Sequence, residues 1–408
     1  MTENDSIPAN QYDVLIVGAG MVGLTVACLL AERVGDKSIR IGVVEANVLK
    51  KDVDCDSDYY DPRVSAITVR SQTLLDSIGA WADIAAMRIA PFSDMQVWDA
   101  EGTGDIHFSA HDMYQEALGH IVENCVTISG LLAATGRYPC IEIIAPAKVR
   151  RIISITNGMQ KLMLEGGSDL LAPLVIAADG ANSRIREMAE FDMREWEYGH
   201  QAIVTTVKTQ KSHQQTAWQR FLPSGPLAFL PLENEHYCSI VWSCVPEKAE
   251  GLMALDDQAF CSALSASFEN TLGEIESCER RFSFPLKQRH AKQYVKRGIV
   301  LVGDAAHTIH PLAGQGVNQG FKDADALADE IAKAYVKDAD ISSFNVLRRY
   351  QRRRIGDNLA MMGIMEGFKR LFEQDILPVR WLRNIGMSWM NKQPLIKQQI
   401  IKQAMGLD

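Results

Sequence analysis

Apolar residues at the start of the chain form a short run that leads into a glycine-rich segment. Tyr12–Val17 (YDVLIV) is a continuous apolar run, as expected of a parallel strand buried on both faces. Gly18–Gly23 follows and opens a stretch that predicts a helix to about Arg33. Ser38–Val44 predicts the next strand, which ends in Glu45. Strand, glycine turn, helix, strand and acid in this order predict a dinucleotide-binding unit.

Two later segments repeat the step from an apolar strand to a polar turn. Leu174–Ala178 predicts a strand that runs into Asp179-Gly180 and a short helix. Gly298–Val302 predicts another, followed by the run 303–320, GDAAHTIHPLAGQGVNQG, and a helix that begins near Val317. We expect these turns and the first glycine turn to converge on one ligand.

The middle of the chain has a different pattern, with four β-rich runs and no long helix between them. The runs are Gln201–Thr209, Ala217–Leu222, Leu227–Leu232 and His236–Ser243. They predict an antiparallel sheet and therefore a separate substrate domain. The predicted fold is α/β, with a discontinuous Rossmann-like domain (1–75, 100–190 and 285–340), an inserted substrate domain (76–99 and 191–284) and a C-terminal helical region (341–408).

The C-terminal region combines basic and amphipathic segments. Ile341–Leu359 predicts an arginine-rich helix, and Met361–Phe372 and Arg380–Met390 have methionine and aromatic residues on one side. Residues 341–408 contain 12 Lys and Arg against 5 Asp and Glu, in a chain with a net charge of -9. A solvated face, a core or an oligomer contact explains this pattern, and so does contact with an anionic membrane or an acidic partner.

Composition excludes several classes of function. The net charge of -9 argues against a general nucleic-acid binder. The eight cysteines show no C-x-x-C spacing, and the first residues are polar and acidic, which predicts a cytoplasmic protein without disulfides or signal peptide. His307 and His310 have no third ligand at suitable spacing, so we expect no metal site. The alternative to a purely cytoplasmic location is peripheral contact with the inner face of the membrane.

The glycine positions indicate how a dinucleotide would be held. Gly18 allows a tight turn, Gly20 allows a pyrophosphate to approach, and Gly23 allows close packing of helix on strand. The helix N-terminus faces the phosphates, and Glu45 can bind ribose hydroxyls. The position at the start of the chain and the distant partner motif at Asp304 favour FAD over NAD.

The run 303–320 suits an electron-accepting ring. Unpaired N–H groups at its loop and helix start can face negative charge on a reduced cofactor. Gly314 and Gly316 lack a Cβ, so a flat ligand can come close, and Asp304 can accept hydrogen bonds from ligand hydroxyls. The alternative is an ordinary solvent loop before a helix.

These residues carry a resemblance to a known family. GDAAHTIHPLAGQGVNQG resembles the second flavin motif of the aromatic-ring hydroxylases, single-component FAD monooxygenases with the fold of p-hydroxybenzoate hydroxylase. HTIHPLAGQGVN, with LGHIVEN, LAFLPL, CSIVWS and the terminal KQAMGL, is similar to the ubiquinone-biosynthesis branch. Within that branch the likeness is to bacterial 2-polyprenylphenol hydroxylases that act at ring carbon 5.

The resemblance implies a set of site residues. The flavin ring would lie beside Pro311, Gly314, Gln315 and Gly316, with no protein nucleophile. The rest of the cofactor would be held by Gly18, Gly20, Gly23, Glu45, Arg63, Asp179, Gly180, Gly303, Asp304, Gly316, Val317 and Asn318. Arg184 or Arg186 could touch a phosphate. Two alternatives stay open: Arg63 as a surface ion pair with Asp61, and Asp179 as a helix cap.

The resemblance also implies a reaction. FAD would be reduced by NAD(P)H, which has no Rossmann domain of its own, and would take up dioxygen as a hydroperoxide at carbon 4a. A polyprenylated phenol would then be hydroxylated for ubiquinone biosynthesis, with other proteins of the pathway as partners. The alternatives are another flavin reaction on the same fold and a non-catalytic, flavin-bound scaffold.

Overall fold

The fold is seen in a computed structural model that describes residues 10–35, 37–50, 53–55, 59–102, 104–155, 158–308, 316–373, 391 and 393–406. The strands in chain order are β1 (Val14–Val17), β2 (Ile41–Val44), β3 (Val64–Thr68), β4 (Ile89–Phe92), β5 (Asp94–Asp99), β6 (Asp105–Ser109), β7 (Gly119–Glu123), β8 (Ile141–Ile144), β9 (Val149–Ser154), β10 (Gln160–Leu164), β11 (Asp169–Ala172), β12 (Leu174–Ala177), β13 (Met193–Thr209), β14 (Thr216–Leu222), β15 (Gly225–Pro231), β16 (Tyr237–Cys244), β17 (Ile275–Cys278), β18 (Phe282–Ala291), β19 (Val295–Lys296), β20 (Ile299–Leu301) and β21 (His307–Thr308). The helices are α1 (Met21–Val34), α2 (Val69–Ser77), α3 (Ala80–Ala85), α4 (Asn124–Thr135), α5 (Arg184–Met188), α6 (Pro246–Ala254), α7 (Asp257–Ser267), α8 (Gly316–Val336), α9 (Phe344–Glu373) and α10 (Pro394–Met405).

A mainly parallel sheet forms the centre of the first domain. Its order within the described chain is β19-β20-β12-β1-β2-β8, and only the β19–β20 pair is antiparallel. β1, β2, β12 and β20 are buried at every position, which explains their continuous apolar runs. The register sets Val17 beside Ala177 and Ala177 beside Leu301. The three polar turns that follow these residues therefore leave the same edge of the sheet.

The predicted substrate sheet is present, but it is mixed. The described strands join in the order β21-β18-β13-β16-β15-β14-β5-β6, with β17 also on β13. The four predicted runs pair antiparallel, as expected. The β5–β6 hairpin adds to β14 in parallel, which local sequence patterns could not reveal. Because β6 pairs with β5, we propose to move the domain boundary from residue 99 to residue 109.

The two faces of this large sheet have different neighbours. On the outer face, Phe229, Trp242 and their neighbours pack against α6 and α7 in one apolar cluster. On the inner face, Ala217 and Leu230 pack against the small antiparallel sheet β3-β7-β4, through Ile121 among others. The inner face therefore faces the first domain.

The C-terminal region departs from the predicted pattern of separate helices. The predicted segment Ile341–Leu359, from Phe344 onward, and the segment Met361–Phe372 belong to one helix, α9, of 30 residues. Arg380–Met390 lies outside the described residues. α10 packs its Ile401 and Met405 on Ala110 and Leu118. The α/β fold with an inserted sheet and C-terminal helices is confirmed.

Candidate active site

The first glycine turn is built for close packing on one side and open space on the other. Gly18 has φ +108°, and a Cβ there would overlap the Ala178 carbonyl. A Cβ on Gly23 would overlap the Gly18 carbonyl oxygen. A Cβ on Gly20 would meet nothing within 4 Å, and α1 starts there without a side-chain cap. The uncapped N–H groups at the start of α1 thus face a space that suits a phosphate.

Glu45 is fixed beside this turn. Its Oε2 accepts the Ala19 N–H at 2.9 Å, and its Oε1 accepts the backbone and side-chain N–H groups of Asn47 at 2.9 and 3.0 Å. The side chain is half-buried at the end of β2. The carboxylate is thereby held next to the first glycine turn, and its contact with ribose hydroxyls stays a prediction.

At the second turn, the side chain of Asp179 caps α5. Its oxygens accept the Ser183 hydroxyl at 2.5 Å and the N–H groups of Arg184 and Ile185 at 2.8 and 3.1 Å. Burial raises the pKa of Asp179, although these donors oppose the rise. The helix-cap alternative thus accounts for this carboxylate, while Gly180, with φ +79°, borders open space. A direct contact of Asp179 with FAD stays a prediction.

Arg186 links the second turn to the third. Its guanidinium donates to the carbonyls of Ala305 at 3.1 Å and Ala181 at 2.9 Å, and the residue is buried. Its donors are therefore engaged by the protein, whereas Arg184 is exposed. Of the two arginines that could touch a phosphate, Arg184 has the more accessible side chain.

The third turn places a solvent-accessible carboxylate in a confined environment. Gly303 has φ +57°, and its N–H donates to Asp323 Oδ2 at 3.0 Å. The Asp304 side chain is exposed, yet desolvation by the surrounding protein raises its pKa against the attraction of His307 and Arg63. An accessible carboxyl whose pKa is raised by its surroundings is a candidate for a ligand-binding residue.

Arg63 lies on the Asp304 side of the cleft. It is exposed at the start of β3, and its charge attracts Asp304. Asp61 accepts the backbone N–H of Arg63 at 2.7 Å, and no ion pair joins their side chains in the described part of the chain. The ion-pair alternative is therefore not what the described residues form. The predicted flavin contact of Arg63 remains a prediction.

The predicted ring environment is only partly described. Pro311, Gly314 and Gln315 lie outside the described residues, and α8 begins at Gly316. Val317 is half-buried against the main core. Asn318 is buried: its Nδ2 donates to the Ala66 carbonyl at 2.7 Å and its Oδ1 accepts the Ser71 hydroxyl at 2.7 Å. The Asn318 side chain thus anchors the helix start to β3 and α2.

Sequence reasoning missed a buried polar network beneath the third turn. Asp323 is fully buried and accepts His307 Nε2 at 2.5 Å and Arg354 Nε at 2.7 Å, besides the Gly303 N–H. Burial alone would raise the pKa of Asp323, but His307 and Arg354 lower it below its usual value. Arg354 also donates to Gln319 Oε1 and Asn358 Oδ1, both at 2.9 Å.

The network continues to the substrate sheet. Asn358 Nδ2 donates to the Tyr294 hydroxyl at 3.1 Å, which contacts His290 Nε2 at 2.9 Å. Burial, and after it the electrostatic influence of the neighbouring His307, lowers the pKa of His290 to about 4. The sequence gives only a weak signal for this network: Asp323 lies four residues after Gln319, on the core face of α8.

The comparisons with known proteins fit this geometry. Residues 11–357 match the family model described as FAD binding domain. The chain belongs to this family of flavin monooxygenases.

The relatives of this monooxygenase align over almost its whole length. The 3-demethoxyubiquinol 3-hydroxylase of Escherichia coli (strain K12) is 36% identical and covers 97% of this chain and 98% of its own. Ubiquinone hydroxylase UbiL of Rhodospirillum rubrum is 36% identical, over 97% of this chain and 89% of its own. Human ubiquinone biosynthesis monooxygenase COQ6 is 32% identical, over 96% of this chain and 92% of its own.

Solved structures share the fold of this monooxygenase. p-Nitrophenol 4-monooxygenase PnpA of Pseudomonas putida DLL-E4 superposes with a TM-score of 0.77 at 18% identity, over 97% of this chain and 98% of its own. PqsL of Pseudomonas aeruginosa has a TM-score of 0.74 at 20% identity, over 93% of this chain and 99% of its own. The match of residues 11–357 to the FAD binding domain makes FAD the cofactor, and the open glycine turn, the uncapped α1 and the accessible Asp304 fit it.

Two negative findings apply to the described residues of this monooxygenase. They contain no group of three His, Cys, Asp or Glu side chains that could hold a metal ion. None of their helices has the length and apolar character needed to cross a bilayer. All eight cysteines are free thiols.

Proposed function

We propose that this monooxygenase hydroxylates the ring of a polyprenylated phenol in ubiquinone biosynthesis, with NAD(P)H as electron donor and dioxygen as oxygen source. The observation that carries the proposal is the shared edge of the parallel sheet, from which the three polar turns leave, the third of them running into β21 of the large sheet. Relatives that are named for ubiquinone biosynthesis support the substrate class.

Each part of the cleft has a task in this proposal. The α1 N-terminus at Gly20 binds the pyrophosphate, Glu45 the ribose, and Asp304 with Arg63 the hydroxylated chain of the cofactor. Bound FAD supplies electron transfer from NAD(P)H and the activation of dioxygen. N–H groups at the start of α8 stabilise negative charge on the reduced ring. The apolar inner face of the large sheet excludes water from the substrate.

The ring position has two candidates. The motifs are mostly shared between the related hydroxylases of the pathway, and the overall likeness of the sequence favours carbon 5 of a 2-polyprenylphenol. The identity of 36% with a 3-demethoxyubiquinol 3-hydroxylase, over nearly the full length of both chains, favours carbon 3 of a demethoxyquinol. Both reactions add one hydroxyl to a prenylated ring. Both therefore need the same FAD site and the same apolar surface for the substrate.

The experiment that tests the proposal uses purified holoenzyme, NAD(P)H and each substrate in short-chain form. We expect a product 16 Da heavier from one of them, with the new hydroxyl assigned by NMR. NAD(P)H oxidation that yields only hydrogen peroxide with both substrates would point to another flavin reaction. Failure to oxidise NAD(P)H with either substrate would favour the non-catalytic scaffold.

We also propose that α9 contacts the cytoplasmic face of the membrane, where a polyprenylated substrate would be found. Arg348 and Arg352 are exposed on its first half, and Leu359 and Ile364 are 41% and 43% exposed further along. A basic surface next to exposed apolar side chains fits an anionic bilayer. A homo-oligomer or another protein of the pathway would cover the same surface. Sedimentation velocity of the purified protein without lipid detects the homo-oligomer.

A further inference from the structure

A buried ion pair joins the start of β4 to the end of β7. Arg88 directly precedes β4, Glu123 is the last residue of β7, and their side chains are 4% and 3% exposed. Arg88 Nε donates to Glu123 Oε2 at 2.8 Å, and its Nη2 donates to Oε1 at 3.0 Å. Two bonds of this kind fix the geometry of both side chains. Because both charges lose their hydration, such a pair contributes little net stability, and its other contacts indicate its role.

Arg88 holds the loop between β2 and β3 (residues 45–63). The described residues of this loop form neither helix nor strand, so side chains set its path. The Arg88 guanidinium donates to the carbonyls of Tyr59 at 3.0 Å and Cys55 at 3.4 Å, and it lies 4.1 Å from the centroid of the Tyr60 ring. The Tyr60 hydroxyl accepts the Asn234 N–H at 3.3 Å, between β15 and β16. The loop is thereby fixed where it meets the large sheet.

Glu123 connects the ion pair to Arg63, the last residue of the loop. Its Oε1 accepts the Asp61 N–H at 2.6 Å, and Asp61 Oδ1 accepts the Arg63 N–H at 2.7 Å. The next residue, Asn124, donates its backbone N–H to the Arg63 carbonyl at 2.8 Å. Both backbone polar groups of Arg63 are therefore held from the end of β7, one of them through Asp61.

The side chain of Arg63 reaches toward the cofactor cleft. Burial raises the pKa of Asp304, and the charge of Arg63 opposes this rise. Asp304 follows β20 of the parallel sheet, whereas Arg63 precedes β3 of the small sheet, so their relative position depends on how the start of β3 and the loop before it are held. An exposed arginine loses conformational entropy when it binds a ligand, and a backbone held within reach keeps that cost small.

We infer that Arg88 and Glu123 are positioning residues for FAD, because they hold Arg63, through Asp61, where its guanidinium binds the cofactor beside Asp304. Arg63 touches the cofactor, and the buried pair acts through it. The pair carries no net charge, so it contributes geometry rather than an added attraction for the cofactor. This inference rests on the proposed function, which assigns the hydroxylated chain of FAD to Asp304 and Arg63.

The test is a double-mutant cycle on FAD affinity. The apoproteins of the wild type, Glu123→Gln, Arg63→Ala and the double variant are titrated with FAD, at a temperature where circular dichroism shows all four folded. The amide of Glu123→Gln would turn its NH₂ group toward either Arg88 or the Asp61 N–H, so the loop shifts. We expect each single variant to bind FAD about tenfold more weakly than the wild type.

The double variant decides between positioning and a general structural effect. It should bind FAD no more weakly than Arg63→Ala alone, because Glu123 has nothing to position once the guanidinium is gone. Independent effects would instead multiply to about a hundredfold loss. If Glu123→Gln does not fold, Arg88→Lys takes its place in the cycle with the same expectation. Its ammonium keeps the buried positive charge but lacks the fork that joins Glu123 to the loop carbonyls.

Glu269→Gln is the matched control, because Glu269 also accepts a largely buried arginine, Arg220, at 2.6 Å, but lies just beyond α7 on the outer side of the large sheet. It should keep the FAD affinity of the wild type. A double variant weaker than Arg63→Ala by the full factor seen for Glu123→Gln would overturn the inference and leave the proposed role of Arg63 intact. Wild-type affinity in Glu123→Gln would also overturn it. Wild-type affinity in Arg63→Ala would contradict the proposed role of Arg63 and the inference together.

Discussion

Replacement of Asp323 by asparagine tests the buried network under the third turn. Asp323 is fully buried and accepts four donors: Arg354 Nε, His307 Nε2, the Gly303 N–H and, at 3.4 Å, Asn358 Nδ2. The amide introduced by Asp323→Asn would keep one acceptor oxygen and add an NH₂ group, so at least one donor would face another donor. Arg354, at 4% exposure, would lose its buried counter-ion and keep only the exposed Asp357, at 2.8 Å. Removing one partner of a buried ion pair costs about 3–5 kcal/mol, so we expect Asp323→Asn to lower the free energy of unfolding by an amount in that range.

The assay is urea unfolding of the FAD-free protein at pH 7, followed by far-UV circular dichroism. Asp329→Asn is the matched control on the same helix, because Asp329 pairs with Lys333 and Arg353 at a partly exposed site. The free energy of unfolding of this control variant should fall by less than about 1 kcal/mol. A loss for Asp323→Asn no larger than that of the control would refute the structural role given to Asp323.

The pH dependence gives the same prediction a second check. The pKa of Asp323 is lower in the folded state than in the unfolded state. The contribution of Asp323 to the free energy of unfolding is therefore fully present above its pKa in the unfolded state, about 4. It is lost as the pH falls through its lower pKa in the folded state. The stability difference between the wild type and Asp323→Asn should shrink below about pH 4. A difference that grows on acidification would contradict the direction of this shift.

Three further predictions concern the cofactor cleft and α9. Gly20→Val should lose FAD while the apoprotein keeps its melting temperature, because a Cβ at Gly20 meets open space. Gly23→Val should instead unfold the apoprotein, because its Cβ would overlap the Gly18 carbonyl. Flavin content and thermal melts check both variants, and a folded Gly23→Val beside an unfolded Gly20→Val would contradict the prediction. Asp304→Ala should weaken FAD binding at least tenfold in fluorescence titrations without loss of fold, and a fully loaded yellow variant would count against the cleft. Charge reversal of Arg348 and Arg352 should abolish co-sedimentation with anionic vesicles at low salt, and unchanged sedimentation would remove the membrane proposal.

The sequence predicts best what is encoded locally. The strands that precede Gly18, Asp179 and Gly303 are continuous apolar runs, and each turn residue follows its strand directly. Their convergence then follows from the geometry of parallel sheets. The antiparallel pairing of the four middle runs is likewise predictable, because they are rich in β-forming residues and are separated by turn residues.

What the sequence could not show depends on non-local contacts. The β5–β6 hairpin joins β14 across more than a hundred residues, and nothing in either segment specifies that parallel pairing. The side-chain partners of Asn318 and Asp179 depend on tertiary geometry, so the motifs assign both residues to FAD although their oxygens accept protein donors. The motifs do not single out Asp323, because an acid in a helix is usually exposed.

The most direct test of the account is hydroxylation under ¹⁸O₂ with the FAD-loaded enzyme, NAD(P)H and the short-chain phenol or demethoxyquinol. The account predicts one ¹⁸O atom in the new hydroxyl and one NAD(P)H oxidised for each product molecule. A product whose new oxygen comes from water, or NAD(P)H oxidation with no oxygen transferred to either ring, would contradict it.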